Sequence, residues 1–156
     1  MSNVVRHEIV SRSEADTSTI GRELASSLRA GDVVLMYGDL GAGKTALTKG
    51  LAEGLGVSRD EVSSPTFTIM QEYRGGRLPL FHVDLYRLND PREIEDLGLE
   101  EIAADGVLAI EWAEKLPDRL KPSRYIEIQI AHGPEDTRSI HVTNSPSHQL
   151  TNYSDR

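Results

Sequence analysis

The chain contains no cysteine. That excludes disulfide staples, thiolate metal ligands and a cysteine nucleophile. Aromatic residues are scarce, at 5%, with a single tryptophan, Trp112. Long apolar runs are missing: the longest is five residues, Val33 to Tyr37, far short of a bilayer span. The N-terminal stretch lacks the apolar core of a secretory leader, so the expected compartment is the cytoplasm, with no membrane association. Basic residues are few, 17 Lys and Arg against 25 acids, for a net charge of −8. Affinity for phosphate backbones comes mainly from Lys and Arg, so the chain is a poor candidate for gripping nucleic acid unaided. The guanine-reading pattern N-K-x-D is absent, because Val, Asp, Ser and Tyr follow the asparagines, which argues against a small GTPase. No internal repeat is visible.

What is present is a soluble globular composition, 38% hydrophobic and 27% charged over 156 residues, enough for one domain with one core. Val4 to Val10 reads as a first strand. Ser13 is a suitable helix N-cap, and Ile20, Leu24 and Leu28 share one helical face, which predicts a helix stopping near Gly31. Val33 to Tyr37 is the unbroken apolar pattern of a strand buried on both faces. A helix from Lys44 to about Leu55 follows, closed by Gly56. Strands are expected at Ile69–Tyr73, Leu78–Leu85, Val107–Ile110, Tyr125–Ile130 and Ser139–Thr143, with a short helix opened by Pro91. Alternating strands and helices predict a single α/β domain over 1–143, a mostly parallel central sheet with some antiparallel strands, and helices on both faces. Residues 144–156 are polar, without periodicity, and read as a disordered tail.

The chemistry lies in Gly38-Asp39-Leu40-Gly41-Ala42-Gly43-Lys44-Thr45, which matches G-x-x-x-x-G-K-[ST], the phosphate-binding loop of P-loop NTPases. A buried-type strand precedes it and a helix follows, as the motif requires. Glycines let backbone N–H groups converge on phosphate oxygens, and the helix adds its positive end. Lys44 is placed to reach the β- and γ-phosphates, and the Thr45 hydroxyl is the expected Mg²⁺ ligand. Such a loop needs an acid on a neighbouring strand. Asp84 and Glu111, each at the end of an apolar run, both qualify, and spacing does not rank them. His82 shares a strand face with Asp84 and reads as a packed or hydrogen-bonded histidine rather than a catalyst. Trp112 either stacks on a base or fills core volume. Thr66 occupies the loop after the motif helix, where a turn and a γ-phosphate sensor are both open readings.

Four segments occur in order: the phosphate loop, Ser64-Pro-Thr-Phe-Thr68, His82-Val-Asp-Leu-Tyr-Arg87 and Glu111-Trp-Ala-Glu114. Together they resemble the bacterial TsaE (YjeE) family, small P-loop ATPases needed to make threonylcarbamoyladenosine (t6A) in tRNA, over about residues 5–143. The resemblance implies ATP as the nucleotide, bound along Gly38 to Ala46, with Mg²⁺ held by Thr45 and Glu111. It implies catalytic roles for Lys44, for Thr66 in a switch-like loop and for Asp84 and Glu111, with Asp84 near the attacking water. It brings Trp112 close to the nucleotide. Thr17 corresponds to a position near adenine, with Thr19 its rival, and Arg138 to a late arginine at the same site. Ala46 stands where relatives often carry a second threonine. The implied partners are TsaB and TsaD. TsaD transfers the threonylcarbamoyl group to adenosine 37 of tRNAs reading codons that begin with A. The TsaE-like subunit would hydrolyse ATP slowly and reset the complex, meeting tRNA only through it.

Overall fold

The computed structural model describes residues 6–38, 43–57, 70–122 and 124–144. Their spine is a seven-stranded sheet of β1 (Arg6–Ser11), β2 (Val33–Gly38), β3 (Met70–Tyr73), β4 (Leu80–Asp84), β5 (Val107–Glu111), β6 (Ile126–His132) and β7 (Arg138–Asn144). The order across the sheet is β1-β7-β6-β2-β5-β4-β3. The central four, β6-β2-β5-β4, are parallel, while β1, β7 and β3 add antiparallel edges. The expected mixed sheet is therefore present, and the two strands expected at 69–73 and 78–85 form the antiparallel β3–β4 pair.

Side-chain alternation along β2 divides the interior into two layers. Val34 and Met36 face a core built with Leu24, Leu28, Leu47 and Leu51 from α1 (Glu14–Ala25), the turn after it and α2 (Lys44–Gly54). Val33 and Leu35 face a second core with Ile94 of α3 (Pro91–Glu95), Leu116, and the half-buried Leu99 and Ile102 of α4 (Leu99–Ala103). Both faces thus carry helices, long on one side and short on the other. The pattern of α4 was too brief to read as a helix in the sequence.

Ser13 caps α1, its side chain accepting from Asp16 N. The helix ends at Ala25, earlier than the expected stop near Gly31. The Ser26 and Ser27 hydroxyls bond back to the carbonyls of Glu23 and Leu24, offering the backbone a turn in place of another helical round. Leu28 is buried all the same. At the other end of the chain β7 runs one residue past the expected boundary, because Asn144 pairs with Ile126 and is buried. The rest of the expected tail lies outside the described residues. No described helix is long and apolar enough to cross a membrane.

Candidate nucleotide site

The chain lays down β2, runs to one side through β3, β4 and β5, and then places β6 on the other side of β2. Beyond the carboxyl end of β2 lies the crevice where parallel α/β sheets bind ligands. The phosphate-loop motif starts there. Gly38 ends β2 at φ 150°, and a Cβ on it would stand 2.5 Å from the Ile130 carbonyl oxygen of β6. Gly43 caps α2 at φ 114°, a conformation that only glycine adopts freely. Asp39, Leu40, Gly41 and Ala42 lie outside the described residues, as does Thr66.

Lys44, the first residue of α2, is only 5% exposed. Its ammonium donates to the Gly38 carbonyl at 2.6 Å and lies 3.9 Å from the centre of the Trp112 ring. A buried cation needs such partners, and the ring face provides one without a counter-charge. Thr45 follows in the first turn of α2 and is half-buried.

Asp84 and Glu111 are the last residues of β4 and β5, paired directly across the two strands. The strands do not both flank β2: β5 does, with Glu111 opposite Met36, whereas β4 lies one strand further out. Glu111 is therefore the acid next to the motif strand. In-register partners in a parallel pair point to the same side, so Asp84, Glu111, His82 and Met36 share the face that α2 covers. The Thr48 hydroxyl of α2, 3.6 Å from the Met36 sulfur, marks that contact. Glu111 is 3% exposed and hydrogen-bonded to Nε2 of the fully buried His82. The reading of His82 as a packed, hydrogen-bonded residue agrees with this geometry.

Burial holds the Asp84 carboxyl above the usual carboxylate range; the neighbouring Glu111 charge adds to the effect, and a hydrogen bond from Tyr86 N opposes it. Folding then favours the protonated form, so ionised Asp84 costs stability. The fold gains from this group below about pH 3.9, and the gain is lost as pH rises through the folded-state value. Asp84→Asn keeps an acceptor for Tyr86 N and removes the charge. It is expected to raise the melting temperature at pH 7, with the difference shrinking towards pH 4. Melts at the two pH values check this, and an unchanged or lowered melting temperature at pH 7 contradicts it.

The segment after β5 closes the site. Trp112 adopts a left-handed backbone (φ 58°, ψ 43°), unusual for a bulky side chain, so the strand turns sharply. Its ring meets Lys44 on one side and Tyr86 on another, 4.9 Å between centroids, and packs against the second core. It is thus partly a core residue and sits at the Lys44 end of the site. Glu114, the last residue of the fourth motif, and Lys115, which the sequence did not single out, complete the turn. The Glu114 carboxylate accepts from Gly38 N at 3.2 Å, continuing the β2 ladder where β5 has left the sheet. Lys115 donates to the carbonyls of Tyr86 and Leu88. The sequence placed Glu114 in a motif but gave it no role.

Thr17, Gly43, Ala46 and Arg138 meet around a cavity of about 260 Å³, joined by Arg12 and Asp136, which the sequence did not single out. The Thr17 side chain lies against Gly43, with a methyl 3.7 Å from the position of an added Cβ, and Thr17 Oγ1 bonds Ser11 Oγ. Thr19 faces a different hollow, with Glu8, Val10 and Asp16, and donates to Ala15 O. Of the two threonines, Thr17 is the one beside the phosphate-loop helix. A further cavity of about 250 Å³, between α3, α4 and Arg119, lies on the opposite face from α2 and gathers none of the expected residues.

The donors suit a hard cation. The Thr45 hydroxyl and the Glu111 carboxylate offer oxygen donors, and no group of three or more His, Asp or Glu among the described residues forms a protein cage. Mg²⁺ is typically held by one or two protein oxygens, with phosphates and water completing the shell.

Comparison with known proteins now decides the family. The model for the threonylcarbamoyl adenosine biosynthesis protein TsaE matches residues 11–140. The chain belongs to the TsaE family. It is 47% identical over 129 residues to the Bacillus subtilis tRNA threonylcarbamoyladenosine biosynthesis protein TsaE, covering 82% of this chain and 79% of that protein. The TsaE of a Nostoc species is 46% identical over 133 residues, covering 81% and 79%. The Streptomyces coelicolor TsaE is 47% identical over 128 residues, covering 80% and 86%. Among solved structures, Bacillus subtilis YdiB superimposes with a TM-score of 0.72 at 35% identity, over 92% of this chain and 88% of that one. The family that the four motifs resembled is therefore the family that the matched model and relatives show.

Proposed function

We propose that this TsaE family member is a cytoplasmic, Mg²⁺-dependent ATP-binding and ATP-hydrolysing subunit of the t6A machinery, acting on a TsaB–TsaD pair. The supporting observation is the frame of the phosphate loop. Lys44 is held at the Gly38 carbonyl, at the carboxyl ends of parallel strands, on the sheet face that carries Glu111. Lys44 binds the β- and γ-phosphate oxygens, exchanging its carbonyl contact for charged ones. Thr17, Ala46 and Arg138 line the cavity for the nucleoside end. Thr45 and Glu111 hold Mg²⁺, which supplies neutralisation of the phosphate charge. Asp84, with its raised affinity for a proton, orients the attacking water at the neighbouring strand end. Trp112 holds the Lys44 ammonium in place against its ring face.

The chain is acidic, with 25 acids against 17 bases, which suits a subunit that meets tRNA through partners. Hydrolysis resets the partner complex between turnovers and is slow without it, with Thr66 completing the site only in the assembled state. Steady-state phosphate release tests this. The TsaB–TsaD pair should raise the wild-type rate, and Thr66→Ala should bind ATP normally but lose most of the stimulation. A wild-type rate indifferent to the pair, or a Thr66→Ala rate stimulated as strongly as wild type, contradicts the proposal. A rate that rises only with a small-molecule acceptor makes the protein a kinase.

A further inference from the structure

His82 lies in the middle of β4, fully buried, between Phe81 and Val83 and beside Ala109 of β5. An apolar side chain would serve that position better. The imidazole brings a buried Nδ1 with no hydrogen-bond partner among the described residues, and an unmet polar atom costs free energy. Its one hydrogen bond there runs from Nε2 to Oε2 of Glu111. When Nε2 carries the proton it donates to that carboxylate oxygen, and Oε1 is left as the oxygen free to meet a cation.

We infer that His82 is a positioning residue for Glu111, fixing the rotamer of a buried carboxylate so that its second oxygen is presented to the nucleotide-bound Mg²⁺. The inference rests on the reading that Glu111 holds the cation. The neighbourhood shows why a support is needed. Asp84 is the in-register partner of Glu111 on the same face, and its charge repels that of Glu111. An unsupported glutamate, with three rotatable bonds, would swing away from it. The bond from β4 closes off that movement. Groups that hold a metal ligand in this way are worth about tenfold to a hundredfold in metal affinity.

Mn²⁺ is a spectroscopic stand-in for Mg²⁺. It is titrated into the ADP-saturated protein and followed by electron paramagnetic resonance, while ADP affinity is measured separately in EDTA by calorimetry. His82→Phe is expected to weaken Mn²⁺ binding about tenfold to a hundredfold and to leave metal-free ADP affinity unchanged. His82→Gln, which returns an N–H near the Nε2 position, should recover most of the loss. His82→Asn, whose amide falls near Nδ1, should not. Glu111→Gln should match the weak variants. The inference is overturned if His82→Phe binds Mn²⁺ like wild type while Glu111→Gln does not, or if metal-free ADP affinity falls in parallel. If Glu111→Gln also binds Mn²⁺ normally, the assignment of Glu111 is what fails. Should His82→Phe not fold, equal Mn²⁺ affinities in the Gln and Asn variants overturn the inference.

Discussion

Lys44→Ala is expected to lower ATP affinity about tenfold to a hundredfold, measured by calorimetric titration. Lys44 has an ammonium that is almost wholly buried, and it satisfies that charge with one carbonyl and one ring face. Both partners are neutral, so phosphate oxygens at the same place form stronger, charge-assisted bonds, each worth about 1.5–3 kcal/mol. The fold should survive. Removing the side chain relieves the core of a buried charge and leaves the Gly38 carbonyl at the edge of the site, a loss of about 1 kcal/mol. In a domain of this size that shifts the melting temperature by about 2–4 °C. Equal ATP dissociation constants for the variant and the wild type would remove Lys44 from the phosphate site. A collapse of the fold would instead make its role structural.

Gly50→Val should produce the largest loss of stability, about 3 kcal/mol, or roughly 6–12 °C in melting temperature. Helices α1 and α2 meet at their glycines. A Cβ on Gly50 would stand 2.0 Å from the Ser18 carbonyl oxygen, and one on Gly21 would stand 2.4 Å from that of Leu47. These are backbone atoms within helices, so no rotamer change relieves the clash and the helices must separate. The damage reaches the nucleotide site, because the same contact seats Thr17 against Gly43 and lets the Ser18 hydroxyl bond the Ala46 carbonyl at 3.1 Å. ATP affinity should fall with stability. Lys49→Ala, one residue away and half-exposed, is the control and should change melting by less than about 2 °C. A Gly50→Val protein that melts with the control would mean that the α1–α2 contact is looser than these distances imply.

The strand before the motif, the helix that opens at Lys44 and the placing of Asp84 and Glu111 at strand ends were all legible in the sequence. Each depends on a short window. Val33 to Tyr37 announces a strand covered on both faces, and Gly43-Lys44-Thr45 opens a helix because glycine at its cap and good helix-forming residues after it leave little else. Strand order was not legible. Periodicity shows which residues are buried and is silent on which strand they are buried against. Only the tertiary structure put β5 and β6 beside β2, and so made Glu111, not Asp84, the acid adjoining the motif strand. The same applies to the bond between His82 and Glu111, 29 residues apart, and to the cavity that gathers Thr17, Ala46 and Arg138 from three elements. The early end of α1 and the left-handed turn at Trp112 are local in position yet global in cause. Serine hydroxyls compete with the helix for its last carbonyls, and Trp112 keeps an unfavourable backbone because Lys44, Tyr86 and the second core hold its ring. Sequence determined the chemistry the chain could offer, because residue types and short spacings carry it. The fold decided which of those groups meet, because that depends on how the strands are ordered across the sheet.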